Sequence, residues 1–311
     1  MKQELYEKAY GLYQKPLFDL VFEAHQVHRL HHDPHKIQKC ALLSIKTGGC
    51  PEDCAYCPQS ARYQTGLERH HLLSIEQVKN AAQQAKKKGA ERFCMGAAWR
   101  NIKNERELER VLEMVKIVKN EGLEVCVTLG MINEQQAQQL KKAGVYAYNH
   151  NLDTSRNYYA KIISTRTFDD RLATLQFVRQ AGMTICSGGI IGMGETIQDR
   201  CALIAELASL NPQPESVPIN LLIPIKGTPL ADSSPVDTLD LIRLIAIARI
   251  LIPKARVRLS AGRTFLNRET HLLAFFVGAN SLFIGDKLLT RSNPDLEEDE
   301  TLLASLKSKS V

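Results

Sequence analysis

The sequence predicts an α/β fold, a TIM-type (β/α)8 barrel with an N-terminal helical cap. Eight short β-rich runs alternate with helical stretches across the 311 residues, which is the order of a parallel sheet built from repeated βα units. Most gaps between runs hold about 20 to 40 residues, enough for a loop, a crossover helix and a return, and the total suits the ~250 residues of an eight-stranded barrel. No Pro/Gly/Ser linker and no internal repeat interrupts the pattern. The expectation is therefore one domain, with the cap over residues 1–37, the barrel over 38–290 and a flexible tail over 291–311. At 44% hydrophobic and 24% charged residues the chain carries enough apolar surface for a full core, which sets aside disordered and fibrous classes.

Residues 2–30 read as one or two amphipathic helices closing the bottom of the barrel. His25, His28, His31, His32 and His35 fall there; Pro34 disrupts the helical spacing a metal site would use, so they read as histidines spread over a surface helix. The strand runs are Lys39–Lys46, Arg92–Ala98, Glu124–Leu129, Val145–Asn149, Thr184–Ile191, Ser216–Ile223, Arg256–Ser260 and Ser281–Gly285. Between them, Ser74 caps IEQVKNAAQQAKKKG, with Gln77 at the capping-box position, Lys86 to Lys88 at the solvated end and Gly89 as the stop. Asn133 and Gly144 bracket EQQAQQLKKAG, and Thr167 opens FDDRLATLQFVRQAG with Asp170 as its acidic partner. Trp99, at the end of the second run, reads as a packing residue. Leu241 to Ile252 is broken by Arg243 and Arg249, and no apolar run reaches the ~18 residues of a membrane span. Asp295 to Glu300 reads as a solvated, fraying end.

Forty Lys and Arg against 34 Asp and Glu give a formal charge of +6, spread along the chain, which by itself selects neither nucleic acid nor a small anion as partner. The opening MKQELYEKAYGLYQKP lacks the apolar stretch of a secretory signal, so the expected location is the cytoplasm or an equivalent reducing compartment.

Of eight cysteines, Cys50, Cys54 and Cys57 fall in GGCPEDCAYCP as C-x3-C-x2-C, just after the first strand run. That position is the C-terminal mouth of a barrel, where such enzymes do their chemistry. A chain of this size without an export signal has no need of disulfides. Three thiolates on one tight loop suit a metal centre instead. Structural zinc is the plain alternative, but it normally uses two close pairs and the chain has no second C-x2-C. The ferredoxin spacing also differs. Three cysteines suit a [4Fe–4S] cluster with one iron left open for a ligand. Cys94, Cys126 and Cys186 fall in three different strand runs; singly each is an ordinary buried residue, and if all three point inward they can hold a second cluster. Cys40 and Cys201 read as packing residues. Gly188, Gly189, Gly192 and Gly194 follow a strand without forming a G-x-G-x-x-G fingerprint, and allow close backbone approach to a ligand.

The cysteine spacing, with Tyr56 before the third cysteine, resembles the signature of the radical S-adenosylmethionine (SAM) superfamily. The ordered runs GGCPEDCAYCPQS, MGAAW, YNHNLDTS, CSGGIIGMGET, PESVPIN, KGTPLAD, VRLSAGR and GAN, spanning nearly all of residues 5–294, sharpen the resemblance to the biotin synthase family. The resemblance implies a homodimeric barrel that inserts sulfur into dethiobiotin to form biotin, drawing electrons from a reductase or flavodoxin-type donor. It implies Cys50, Cys54 and Cys57 as ligands of the [4Fe–4S] cluster that cleaves SAM, and Cys94, Cys126, Cys186 and Arg258 as ligands of a [2Fe–2S] cluster that donates sulfur. From the residue alone, Arg258 reads as a barrel-interior ion-pair partner, since a protonated guanidinium has no lone pair to offer. The resemblance also implies SAM contacts from Tyr56, Asn151, Asp153, Gly188 and Gly189, and substrate contacts from Asn149, Asn151, Asn220 and Thr290. Arg291 stands where relatives commonly carry a second Thr near the substrate carboxylate, a departure from the pattern. Another radical SAM enzyme of the hydrogenase-maturation type, a non-catalytic iron–sulfur or zinc protein, and a basic nucleic-acid binder are the competing readings.

Overall fold

Strands such as RFCMGA and EVCVT are apolar on both faces because one face looks into the barrel and the other lies under a helix. The computed structural model describes residues 2–285 and 287–306. Helices α1 (Lys2–Gln14) and α2 (Leu17–His31) lead into β1 (Gln38–Lys46), α3 (Ile75–Lys87), β2 (Arg92–Ala97), α4 (Glu105–Asn120), β3 (Glu124–Thr128), α5 (Glu134–Ala143) and β4 (Ala147–Asn149). There follow α6 (Arg156–Ile162), α7 (Phe168–Gln180), β5 (Thr184–Cys186), β6 (Gly189–Ile191), α8 (Ile197–Ser209), β7 (Ser216–Leu221), α9 (Thr238–Leu251), β8 (Arg256–Leu259), α10 (Arg268–Val277), β9 (Ser281–Phe283) and α11 (Leu296–Ala304). The pairings between these strands are parallel, and β5 and β6 both join β7, which closes the sheet into a barrel with helices outside. The fold class is the (β/α)8 barrel expected. No helix of the described residues is long and apolar enough to cross a membrane.

Helix starts follow the side-chain signals in the sequence. Ser74 with Gln77, Asn133 with Gln136 and Thr167 with Asp170 each form a reciprocal capping box, satisfying backbone donors that the first turn leaves free. Gly144 ends α5 at φ +114°, a conformation closed to most side chains.

Three expectations need correction. The run Thr184–Ile191 is two strands, because the chain breaks step at Ser187–Gly188: Ser187 N–H turns to Ser216 O (2.9 Å) while Gly188 O accepts from Asp153 N–H (3.1 Å). Gly188 has no room for a side chain there, since a Cβ would lie 1.9 Å from Pro218 O. The N-terminal helices lie along the outer helices α8, α9 and α10, and this docking draws the histidines inward. His28 is fully buried, His32 Nε2 bonds Pro253 O at 3.0 Å, and His25 stacks on Phe276 with centroids 3.9 Å apart. Finally, the acidic stretch folds as α11. Asp295 caps it by accepting from Glu298 N–H (2.8 Å), and Asp299, 1% exposed, pairs with the equally buried Arg263. Of the expected flexible tail, residues 307–311 lie outside the described residues.

Burying Arg263 beside Asp299 makes that pair the anchor of α11. Asp299→Ala leaves an uncompensated guanidinium, which costs about 3 kcal/mol or more. The expected result is a clear fall in Tm with loss of protease protection over residues 296–304, read by thermal unfolding and limited proteolysis; an unchanged Tm rejects the anchor.

Candidate active site

The loop after β1 carries Cys50, Cys54 and Cys57 at the mouth, and its own backbone folds it tightly. Cys50 N–H donates to Gln59 O (2.9 Å), Ala61 N–H to Cys50 O (2.7 Å) and Cys57 N–H to Cys54 O (2.9 Å). The Asp53 carboxylate fastens the loop to the segment after α6, accepting from the backbone N–H groups of Ser164 (3.0 Å) and Thr165 (3.1 Å) and from both hydroxyls. Burial alone would raise the Asp53 carboxyl, but these bonds overcome it and hold it at about 2. Glu52 is 1% exposed and paired with Arg100 (3.0 Å) and Arg166 (3.8 Å). The Arg166 guanidinium reaches on to Cys54 Sγ at 3.6 Å, placing a cation beside the thiols. Burial pushes the Cys54 thiol up to about 11 and Cys57 up to about 12; a bound metal reverses that preference by taking the thiolate directly.

Tyr56 ties the cysteine loop to the far side of the mouth. Its hydroxyl donates to Asp153 Oδ2 at 2.8 Å, and Arg171 of α7 pairs with the same carboxylate oxygen. Asp153 adopts φ +68°, rare for a side-chain-bearing residue, and backbone bonds on both sides hold it: its N–H to Gly188 O (3.1 Å), its carbonyl to Ile190 N–H (2.8 Å). Gly189 has no Cβ for the same reason, since one would meet Asp153 O at 2.7 Å. The close approaches at Gly188 and Gly189 are thus to Pro218 and Asp153, and neither glycine lines the cavity described next.

A cavity of about 330 Å³ opens at the mouth, lined by Cys50, Cys54 and Cys57 and by Thr290 and Arg291, a volume within the range of small-molecule sites. Asn149, Asn151, Asp153 and Asn220 also line it. All three amides are partly committed: Asn220 donates to Gly189 O (2.9 Å) and accepts from Ala261 N–H (3.1 Å), Asn151 Oδ1 accepts from Gly188 N–H (3.2 Å) and Asn149 Nδ2 (3.1 Å), and Asn149 Oδ1 accepts from Thr128 Oγ1 (3.1 Å). Trp99 packs against the core as expected and also contributes to the cavity wall.

Beneath the cavity lies a second set of thiols. Cys94, Cys126 and Cys186 are at most 3% exposed, with Cys94 directly opposite Cys126 in the β2–β3 register. Contacts with Cys126 lower the Cys94 and Cys186 thiols and raise Cys126 itself, as expected of three thiols sharing protons. Asn149 connects the two levels, reaching Cys186 Sγ at 3.3 Å while lining the cavity above. Arg258, 1% exposed, extends Nη1 to Cys186 Sγ (3.7 Å) and Nε to Ser281 Oγ (3.0 Å). Burial lowers the Arg258 guanidinium, but the surrounding thiols outweigh it and the net shift is upward. Arg258 Nη2 and Arg92 Nη1 are buried without a partner. All eight cysteines are free thiols. No group of three or more His, Cys, Asp or Glu among the described residues is arranged to hold a single metal ion. Buried thiols edged by cations, with guanidinium nitrogens left unpartnered, fit polynuclear, negatively charged iron–sulfur clusters at both levels.

Reading the residues singly did not find Glu52, Arg100, Arg166 or Arg171, which lie in stretches that look like ordinary charged surface. Cys40, read as strand packing, is buried in the same group as Cys94 and Cys126.

A thiol-bearing loop at the mouth of a parallel barrel is the arrangement of a radical SAM protein. The Radical SAM superfamily model matches residues 44–207, and the model for the Biotin and Thiamin Synthesis associated domain matches residues 218–309. The chain is 56% identical over 296 residues to a biotin synthase of Flavobacterium johnsoniae, covering 95% of this chain and 82% of that one. To a biotin synthase of Sorangium cellulosum it is 57% identical over 297 residues, covering 96% and 85%. The chain belongs to the biotin synthase family. Among solved structures, methylornithine synthase superposes with a TM-score of 0.81 at 19% identity, covering 98% of this chain and 95% of that one. The FeFe-hydrogenase maturase HydG of Carboxydothermus hydrogenoformans also reaches 0.81, at 16% identity and covering 98% and 77%, a likeness of fold alone.

The depressed carboxyl of Asp53 gives the loop a pH signature. Its ordinary value is 3.8 and its folded value about 2, so the stability it adds is complete above about pH 4 and lost as pH falls through about 2. Asp53→Asn should flatten stability against pH across that window, measured by urea unfolding at pH 6 and pH 3; an unaltered pH profile rejects the assignment.

Proposed function

We propose that this chain inserts sulfur into dethiobiotin to form biotin by SAM-dependent radical chemistry. One observation carries the reading: a mouth cavity walled by the C-x3-C-x2-C thiols sits over a second, fully buried thiol set, with Asn149 touching both. In this reading Cys50, Cys54 and Cys57 would hold a [4Fe–4S] cluster, which would supply the electron for reductive cleavage of SAM. Cys94, Cys126 and Cys186, with Arg258 beside Cys186, would hold a [2Fe–2S] cluster that would supply the sulfur.

The protein's own part is placement and exclusion of water. Arg166 and Arg171 set positive charge beside the mouth thiols, which favours an anionic cluster there. Asn151 and Asp153 present oxygen acceptors suited to the two ribose hydroxyls of SAM, with Tyr56 fixing the Asp153 carboxylate and Gly188 and Gly189 letting the strands behind it close up. Asn149, Asn151 and Asn220 offer amides that both donate and accept, matching a ureido ring. Thr290 and Arg291 also line the cavity, where the substrate carboxylate fits a hydroxyl and a cation. In the same reading the protein is a homodimer in the cytoplasm or a like reducing compartment, takes electrons from a flavodoxin-type reductase partner and engages neither membrane nor nucleic acid. Free thiols at both levels support the reducing setting.

Anaerobic protein with two clusters should contain about six irons per chain, against about four for a lone cubane. Incubated with reductant, SAM and dethiobiotin, it should yield 5′-deoxyadenosine and biotin; neither product from protein with intact clusters removes the proposal. Cys54→Ala should abolish SAM cleavage, whereas Cys186→Ala should retain part of it and lose biotin formation. Chromatographic assay of the two products checks this, and equal loss in both variants rejects a division of labour between the levels.

A further inference from the structure

The chamber beneath the cavity contains a thiol that the proposed function does not use. Cys40, on β1, is fully buried and packs in one group with Cys94, Cys126, Ala147 and Phe283. It stands on the Arg258 side of the chamber, since Cys40 Sγ and Arg258 Nε both reach Ser281 Oγ, at 3.6 and 3.0 Å. The thiols and the guanidinium therefore close a ring around the barrel interior. Cys94 faces Cys126, Cys186 lies 3.7 Å from Arg258, and Cys40 is one hydroxyl away from Arg258 and packed with Cys94. Within that ring Arg258 Nη2 is buried with no partner, which marks space for an acceptor that the protein itself does not fill. The contacts that hold the Cys40 thiol, to Gln38 Oε1 and Ser281 Oγ, are both 3.6 Å and weak, so little opposes its turning to another partner.

Chemistry separates the two candidates for the fourth side. A guanidinium has no lone pair while protonated and is hard to deprotonate, whereas thiolate is a standard ligand of iron in sulfide clusters. We propose that Cys40 is a further iron ligand of this chamber, exchangeable with Arg258, so that the interior cluster has four thiolates to draw on. The inference rests on Cys94, Cys126 and Cys186 being cluster ligands. Exchange breaks the S–H bond of Cys40 and the Fe–N bond to Arg258 and forms an S–Fe bond; the proton passes to the released guanidine, which becomes guanidinium, with no change in oxidation state.

The test uses full-length protein reconstituted anaerobically with iron and sulfide, as wild type, Cys40→Ser, Arg258→Ala, the variant combining these two, and a variant with both Cys126→Ala and Cys186→Ala. Iron and sulfide per chain, visible absorption and Mössbauer spectra are read, without any turnover. Arg258→Ala should keep the interior iron, about two of about six per chain, with thiolate-to-iron absorption at least as strong as in wild type. Adding Cys40→Ser to it should remove that iron. A double variant that matches Arg258→Ala in iron count and spectrum overturns the proposal, as does an Arg258→Ala protein that has already lost the interior iron. Cys40→Val, which keeps an apolar group of similar bulk, repeats the comparison; retention of the interior iron by Arg258→Ala with Cys40→Val also overturns it. The variant with both Cys126→Ala and Cys186→Ala, which leaves only two thiolates even when Cys40 is counted, reports on the underlying reading separately: a fall to about four irons upholds the interior cluster, and an unchanged count removes the cluster and this inference together.

Discussion

A β-strand turns every second side chain to the same face, and in a closed barrel that face is the axis. Here that constraint brings thiols from distant parts of the chain into one small volume. Cys40, Cys94, Cys126 and Cys186 come from β1, β2, β3 and β5, separated by as many as 146 residues, and meet because parallel pairing sets their strands side by side. A typical barrel fills this space with branched aliphatic side chains. In this chain the filling is sulfur, hydroxyl and guanidinium, which weakens the apolar core locally and leaves buried nitrogens without partners. The aliphatic packing is moved outward, to the layer between strands and helices, where Val111, Met114, Val115 and the apolar length of α9 are buried.

Charge organises the mouth as parity organises the interior. Glu52 and Asp53, just before the middle cysteine, are drawn to Arg100, Arg166, Ser164 and Thr165, so the loop cannot swing away without exposing a buried carboxylate and stranding two cations. Asp153 performs the same task from the opposite side, held by Arg171 and Tyr56. The strained backbone at Asp153 and the missing Cβ atoms at Gly188 and Gly189 belong to one device: the break between β5 and β6 lets the end of β4 cross close enough to present that carboxylate to the cavity. The two levels communicate through Asn149, whose amide faces the cavity and whose nitrogen touches Cys186.

The periphery shows where burial changes what a residue is. The histidines of α2 sit on a helix that presents one face to α9 and α10, so His28 loses water altogether and burial pushes it down to about 3, while His32 lies near about 4. Neither is placed to hold a charge at neutral pH. Arg249, which looked like an interruption of an apolar helix, is fully buried and donates to Gly278 O, Pro253 O and Ala255 O, tying together the two connections α9–β8 and α10–β9.

The sequence by itself determined the barrel, most strand positions, the capping boxes and the mouth loop, because each is written in local spacing: periodicity for the elements, Ser/Thr/Asn with a partner three residues on for the caps, and C-x3-C-x2-C for the loop. The ordered motifs carried the family. What only the tertiary structure decided depends on contacts between residues far apart in sequence. The split of Thr184–Ile191 follows from how close Pro218 comes to Gly188, the ordering of α11 from Arg263 reaching Asp299, and the company of Cys40 from strand parity and closure. A cysteine in an apolar run carries the same local signal whether it faces a helix or the barrel axis, and closure of the sheet is what distinguishes the two.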